Sequence, residues 1–182
     1  PRARELVEVM NSVAETEFSD DLWGDRWSKL MVNCMANALS GVSGYGTAEV
    51  RGEANPRRIG IQLGAEVAKV ARSHGIHLHP VLGLSPDDVI DASEGRNVEA
   101  VENTMLESGR NAGPGGVPSF GQDVRKGRRN EIDYLNGYVS DMGRKLGVPT
   151  PFNDKIVEIV HDLGIDFKGE VKNIQPLVDM LP

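Results

Sequence analysis

The sequence predicts an all-α protein, a helical bundle, on three observations. Apolar residues recur at helical spacing in one segment after another, helix start and stop signals bracket those segments, and only Glu15 to Phe18 alternates at the strand period. Arg4 to Val13 is predicted helical with Leu6, Val9 and Met10 on one face. Glu15 to Phe18 follows as a short strand, then the cap-like Ser19-Asp20-Asp21. Trp23 to Val42 is the opening helix of the bundle, ended by the glycine-rich Gly41 to Gly46.

Asn55-Pro56 marks the next start, because asparagine caps free amides and proline is tolerated at the first helical position. Ile59, Leu63, Val67, Val70 and Ala71 carry that stripe towards His74, and Gly75 stops it. Ser85-Pro86-Asp87-Asp88 has capping-box spacing and opens a helix to Glu94, and an amphipathic run covers Val98 to Glu107. Ser108 to Pro118 holds four glycines and two prolines and is expected to be a mobile loop. Helices are expected at Ser119 to Lys126, Ile132 to Leu146 and Asn153 to Leu163. From Gly164 onward no pattern stands out, and no internal repeat occurs.

Composition narrows the function. Hydrophobic residues make up 39% and charged residues 26%, with no uninterrupted apolar window long enough for a membrane span, so no membrane partner is expected. The formal net charge of -7 argues against a nucleic-acid binder, whose domain carries a basic excess. One cysteine, Cys34, permits neither an internal disulfide nor a cysteine-rich metal site, and a reducing, cytoplasmic setting is the simple reading. His77 and His79 lack a third ligand, so no metal is expected. Glu66, at the margin of its stripe, reads as a structural partner.

The residues that stand out are polar ones on an apolar helix. At about 100° per residue, Lys29, Asn33, Asn37 and Ser40 fall within roughly 80° of arc, and apolar residues fill the rest of the circumference. A narrow polar strip without an acid fits a helix packed on most sides whose remaining side lines a cleft. There a lysine can hold an anion or give a proton to an oxygen that is gaining charge. In the competing reading the asparagines satisfy buried backbone groups and the lysine reaches out to water. A second candidate is Glu131. On a helix with the stripe Ile132, Leu135, Val139, Met142 and Leu146 it lies on the inner side at a favourable N-terminus, while Asp133, Asn136, Ser140 and Arg144 point away. A capping or ion-pairing role for Glu131, with Lys29 or an arginine, is its alternative.

Two segments together resemble a known family. W-S-K-L-M-V-N-C-M-A-N-A-L-S at residues 27 to 40, and P-S-F-G-Q-D-V-R-K-G-R-R-N-E-I-D-Y-L-N-G-Y-V at 118 to 139 with G-V-P-T-P-F-N at 147 to 153, are similar to the C-terminal domain of ketopantoate (2-dehydropantoate) reductases. The resemblance implies a helical domain of the 6-phosphogluconate-dehydrogenase C-terminal-like type at residues 19–182. Residues 1–18 would be the last helix and strand of a Rossmann domain whose other part binds NADPH. It implies reduction of ketopantoate or a related 2-ketoacid, with Lys29 as the proton donor. Asn33, Asn37 and Ser119 would then be substrate-binding, and Glu131 would reach the cofactor side. A homodimer through the helical domain fits the same resemblance. The family often has an asparagine where Thr47 stands here, and no G-x-G-x-x-G opens the chain, so the chain is expected to be cut from a longer protein and inactive alone. The reading from a different class is a non-catalytic helical module for dimerisation or small-anion binding.

Overall fold

One long helix organises the fold. The Asp21 side chain accepts from the Gly24 amide at 3.0 Å and starts a helix over Leu22–Ser43; Gly44, at φ 80°, ends it in the left-handed region. Glycine is required at 44, since a Cβ there would also lie 2.5 Å from the Gly169 carbonyl oxygen. The computed structural model describes residues 2–113 and 115–182; Pro1 and Pro114, the latter within the expected Ser108 to Pro118 loop, lie outside the described residues. In chain order the α-helices are α1 (Arg2–Met10), α2 (Leu22–Ser43), α3 (Thr47–Gly52), α4 (Ala54–Ser73) and α5 (Pro86–Ser93), then α6 (Val98–Asn111), α7 (Ser119–Arg125), α8 (Asn136–Leu146), α9 (Pro151–Leu163) and α10 (Gln175–Val178). Short 3₁₀ turns cover Ile132–Tyr134 and Val171–Ile174.

The all-α architecture is as expected. Helix α2 runs through the middle, and α4 crosses it where small residues let the backbones approach. A Cβ on Gly60 would stand 2.9 Å from the Met35 carbonyl oxygen, and one on Gly64 would stand 2.8 Å from Met35 Cγ. The N-terminal half of α2 puts Trp27, Met31, Cys34 and Met35 into one apolar cluster with α4, α5 and α6. Its C-terminal half puts Ala38, Leu39 and Val42 into a second with Phe120, Ile132, Phe152 and Ile156. The capping box at Ser85 closes in both directions with Asp88, and Arg57 and Arg58 of α4 clasp Glu102 of α6 at 2.8 and 2.7 Å. No helix among the described residues is long and apolar enough to cross a membrane.

Four expectations need correction. Glu15 to Phe18 is extended but is not a strand, because a strand needs a partner and the bridge between Val81 and Leu84 is a turn closing on itself. The segment from Ser108 is not loop from its start: α6 continues to Asn111, because Gly109 packs against Arg51 and Ala48 of α3, and Arg51 bonds the Ser108 hydroxyl at 3.0 Å. Helix α3 has no stripe long enough to read from the sequence. The expected helix over Ile132 to Leu146 is broken at Leu135 (φ −107°, ψ −94°), which changes what its side chains face. Asn136 and Ser140, expected to point away from the core, are 0% and 3% exposed, because α8 is packed by both α4 and α9 and buries more than its apolar stripe.

Behind α2 lies a buried polar network. The Glu66 carboxylate of α4 accepts from the Phe152 amide at 2.8 Å, the Asn153 amide at 2.9 Å and Asn153 Nδ2 at 2.7 Å, and so caps α9 from outside. Asn136 Nδ2 donates to Asn153 Oδ1 at 2.9 Å and to the Cys34 carbonyl at 3.4 Å, which ties α8 and α9 to α2. Burial pushes the Glu66 carboxyl up to about 7 against the pull of its three N–H donors. Burial, and Glu66 nearby, push the Cys34 thiol up, so it stays an inert core residue. Glu66 is thus the structural partner the sequence suggested, with a role no periodicity could assign.

Candidate functional site

Lys29, Asn33 and Asn37 follow one another at single-turn steps on the side of α2 that its neighbours leave open. Lys29 is exposed, and Asn33 and Asn37 are half-buried. The side-chain hydrogen bonds that tie α2 to itself and to other segments run through Ser28, Ser40, Ser43 and the Cys34 and Val42 carbonyls. Among the described residues none involves Lys29, Asn33 or Asn37. The two asparagines therefore do not satisfy buried backbone groups. From Lys29 to Asn37 the strip rises about 12 Å along the helix axis, enough for a small carboxylate-bearing molecule. Within this chain the strip is one open wall rather than an enclosed cleft.

Ser40, the fourth member of the expected strip, has a different task. It is buried, and its hydroxyl donates to the Tyr45 carbonyl at 2.5 Å, closing the turn after α2. Helix α7 is laid against this point. A Cβ on Gly121 would lie 3.0 Å from Ser40 Oγ, and one on Gly41 would run into the Phe120 ring. These two glycines let α7, which opens with Ser119, lie flush on α2. Gly41→Ala is therefore expected to lower stability by about 1–3 kcal/mol through overpacking against Phe120, read by urea or thermal unfolding. An unchanged midpoint would show that α7 yields freely.

The Ser119 hydroxyl donates to Glu131 Oε1 at 3.0 Å, so the structure brings these two sequence-predicted residues together. Glu131 is not at the start of a long helix as expected. It precedes the Ile132–Tyr134 turn, held by Asn130 Oδ1 accepting from the Ile132 amide at 3.2 Å and by the buried Ile132 side chain. A one-turn 3₁₀ segment carries little dipole, so Ser119 and not a helix terminus is the partner of the carboxylate. Among the described residues Glu131 forms no ion pair, with Lys29 or with any arginine. Thr47 opens α3, with its amide donating to the Gly116 carbonyl at 2.8 Å, so the glycine-rich segment is tied to the start of α3.

Chemically, the strip offers a cation and two amides, donors for a carboxylate or carbonyl, and the Ser119–Glu131 pair offers a hydroxyl and an acceptor. The histidines lie elsewhere. His79 Nε2 is 3.3 Å from Asp21 and 3.5 Å from Asp25, and no group of three metal-ligating side chains occurs among the described residues. What the sequence could not disclose is the Glu66, Asn153 and Asn136 network that fixes α2 from behind. Its one legible sign was an acid at the edge of an apolar stripe.

Comparison with known proteins identifies the family. The profile of the family described as "Ketopantoate reductase PanE/ApbA C terminal" matches residues 21–164. A 2-dehydropantoate 2-reductase of Shigella flexneri is 28% identical over 156 residues, 85% of this chain and 44% of its own. A crystal structure of a PanE/ApbA family ketopantoate reductase from Ralstonia eutropha JMP134 superposes with a TM-score of 0.65 at 29% identity, covering 87% of this chain and 47% of that one. A ternary structure of D-mandelate dehydrogenase with NADH and anilino(oxo)acetate superposes at 0.67 with 27% identity, covering 88% and 47%. The chain thus spans about half the length of the relatives it matches.

Proposed function

Since the chain belongs to the ketopantoate reductase family as its C-terminal helical domain, we propose that it is the substrate-binding half of an NADPH-dependent reductase of ketopantoate or a related 2-ketoacid. The observation that carries this reading is the strip of Lys29, Asn33 and Asn37, unpartnered among the described residues, in a domain that also bonds Ser119 to Glu131. A 2-ketoacid presents a carboxylate and a carbonyl, and the two asparagines with Ser119 hold those oxygens. Lys29 stands by the carbonyl and gives its proton to the alkoxide as charge develops there, which lowers the barrier most where negative charge is greatest.

The residues present fit the ketoacid and only the edge of the cofactor. Pyrophosphate needs a glycine-rich turn opening a helix, which this chain does not contain, while Glu131 can accept from a group on the cofactor side. The nicotinamide, held mainly by a separate domain, supplies the hydride when bound. Residues 1–18 belong to that domain. Helix α1 supports this, since it buries no residue and leaves Leu6 61%, Val9 66% and Met10 43% exposed, an apolar face that asks for a partner. By itself the chain is inactive. The lone buried Cys34 accords with a reducing cytoplasm. A homodimer through the helical domain is consistent with the exposed Trp23 and Tyr134.

The decisive experiment is oxidation of NADPH, with NADH alongside, by the full-length protein across a panel of branched and aromatic 2-ketoacids. Turnover with none of them, together with stable folding, would favour a non-catalytic module. Asn33→Ala is expected to raise the KM of the ketoacid by an amount worth about 1–3 kcal/mol, with the melting temperature held. A fall in stability alone would return Asn33 to a structural role.

A further inference from the structure

A cavity of about 480 Å³ lies where the start of α2 meets the turn after α4 and the first turn of α8. Trp23 and Trp27, the only tryptophans in the sequence, line it together with Asp21, His74, His77 and Tyr138. It is separate from the proposed substrate strip, because Trp27 stands about 160° around α2 from Lys29. No lysine or arginine lines it, and Asp21 is engaged already, accepting from the Gly24 amide and facing His79.

Trp27 is 3% exposed, and tilted ring contacts with Tyr138 at 5.7 Å and His74 at 6.0 Å hold its indole in place. Its Nε1–H meets no acceptor among the described residues, yet it is not sealed from solvent as Arg51 Nε, Asn136 Oδ1 and Ser140 Oγ are. A buried tryptophan ordinarily gives that N–H to a protein acceptor. Here the donor is left for whatever enters the cavity that the ring lines. Trp23, one helical turn earlier, is 60% exposed, and the Arg26 guanidinium 5.9 Å from its ring centroid leaves most of the indole to solvent.

We propose that this cavity binds a flat nitrogen heteroaromatic molecule, a ring nitrogen accepting from Trp27 Nε1–H and a ring face laid on Trp23. A heteroaromatic ring combines an in-plane acceptor with a face free to stack. A plain hydrocarbon ring would leave the indole N–H unmatched, and an aliphatic ligand would leave the Trp23 face unused. An anion would find no fixed cation in the lining. The inference stands on these residues alone and does not depend on the reductase reading.

Titration of the 182-residue chain with quinoline at neutral pH, followed by NMR of the two indole N–H signals, tests it against naphthalene, which has the same shape without the ring nitrogen. Saturable one-to-one binding of quinoline is expected, with the Trp27 signal moving downfield, and naphthalene should bind about threefold to tenfold more weakly. Trp23→Ala, at an exposed position, is expected to weaken quinoline binding by about tenfold or more through loss of stacking. Trp27→Phe keeps an aromatic ring in the packing and should erase the preference for quinoline over naphthalene. Equal affinity for the two ligands in the unaltered chain, an unmoved Trp27 signal, or full quinoline binding by Trp23→Ala would each overturn the site. The comparison of the two ligands decides even if Trp27→Phe fails to fold.

Discussion

Replacing Lys29 by alanine in the full-length protein is expected to lower kcat for 2-ketoacid reduction by about 100-fold or more, the range for loss of a general acid. Cofactor affinity should change little, because Lys29 lies on the proposed substrate strip and forms no ion pair with Glu131 among the described residues. Two features make the result readable. Lys29 is exposed and bonds nothing among the described residues, so its removal opens no cavity and the melting temperature should hold. Lys29→Arg keeps the positive charge but holds its proton far more tightly. A proton donor therefore loses kcat in both variants, while a mere anion anchor loses KM in the alanine variant and recovers it in the arginine one. Unchanged turnover in the alanine variant would remove Lys29 from the chemistry.

The largest stability effect is expected from Glu66→Ala. It leaves the Phe152 and Asn153 amides and Asn153 Nδ2 without an acceptor at the start of α9, and a void behind α2. The cost should be about 3 kcal/mol, which for a chain of this size lowers the melting temperature by about 6–12 °C. Glu66→Gln separates packing from charge. The folded carboxyl titrates near 7, against an ordinary value of 4.5. Between those limits the folded state binds more protons than the unfolded chain, so stability falls as pH rises through the window. That slope should vanish in the glutamine variant. Equal slopes in both proteins between pH 5 and 8 would show that Glu66 does not titrate there. Loss of the network should also raise the KM of the full-length protein, since Asn153 and Asn136 brace the Cys34 carbonyl, which lies between Asn33 and Asn37.

Much of the fold was legible because helix signals are local. The Ser85 capping box, Asn55-Pro56 and the stripe from Ile59 to Ala71 each encode an element in a few neighbouring residues. Elements whose existence rests on a distant partner were not legible. Helix α3 is held by contacts with α4 and α6, and the last turns of α6 by Arg51. Glu15 to Phe18 fails for the converse reason: its residues suit a strand, and nothing among the described residues pairs with it.

The sequence by itself determined which residues share a side of α2. Helical geometry turns the spacing of Lys29, Asn33 and Asn37 into a strip whatever packs around it. Only the tertiary structure decided what each polar residue does there. Ser40 has the same angular position, yet α7 and the Tyr45 turn cover it and absorb its hydroxyl, while Lys29 is left to solvent. Asn136 and Ser140 were placed outward by the same wheel and lie inside, because α8 is covered on two sides. A helical wheel gives directions within one element. Burial depends on which other elements arrive, and those arrive through contacts such as Gly41 on Phe120 and Glu66 on α9 that link residues far apart in the chain.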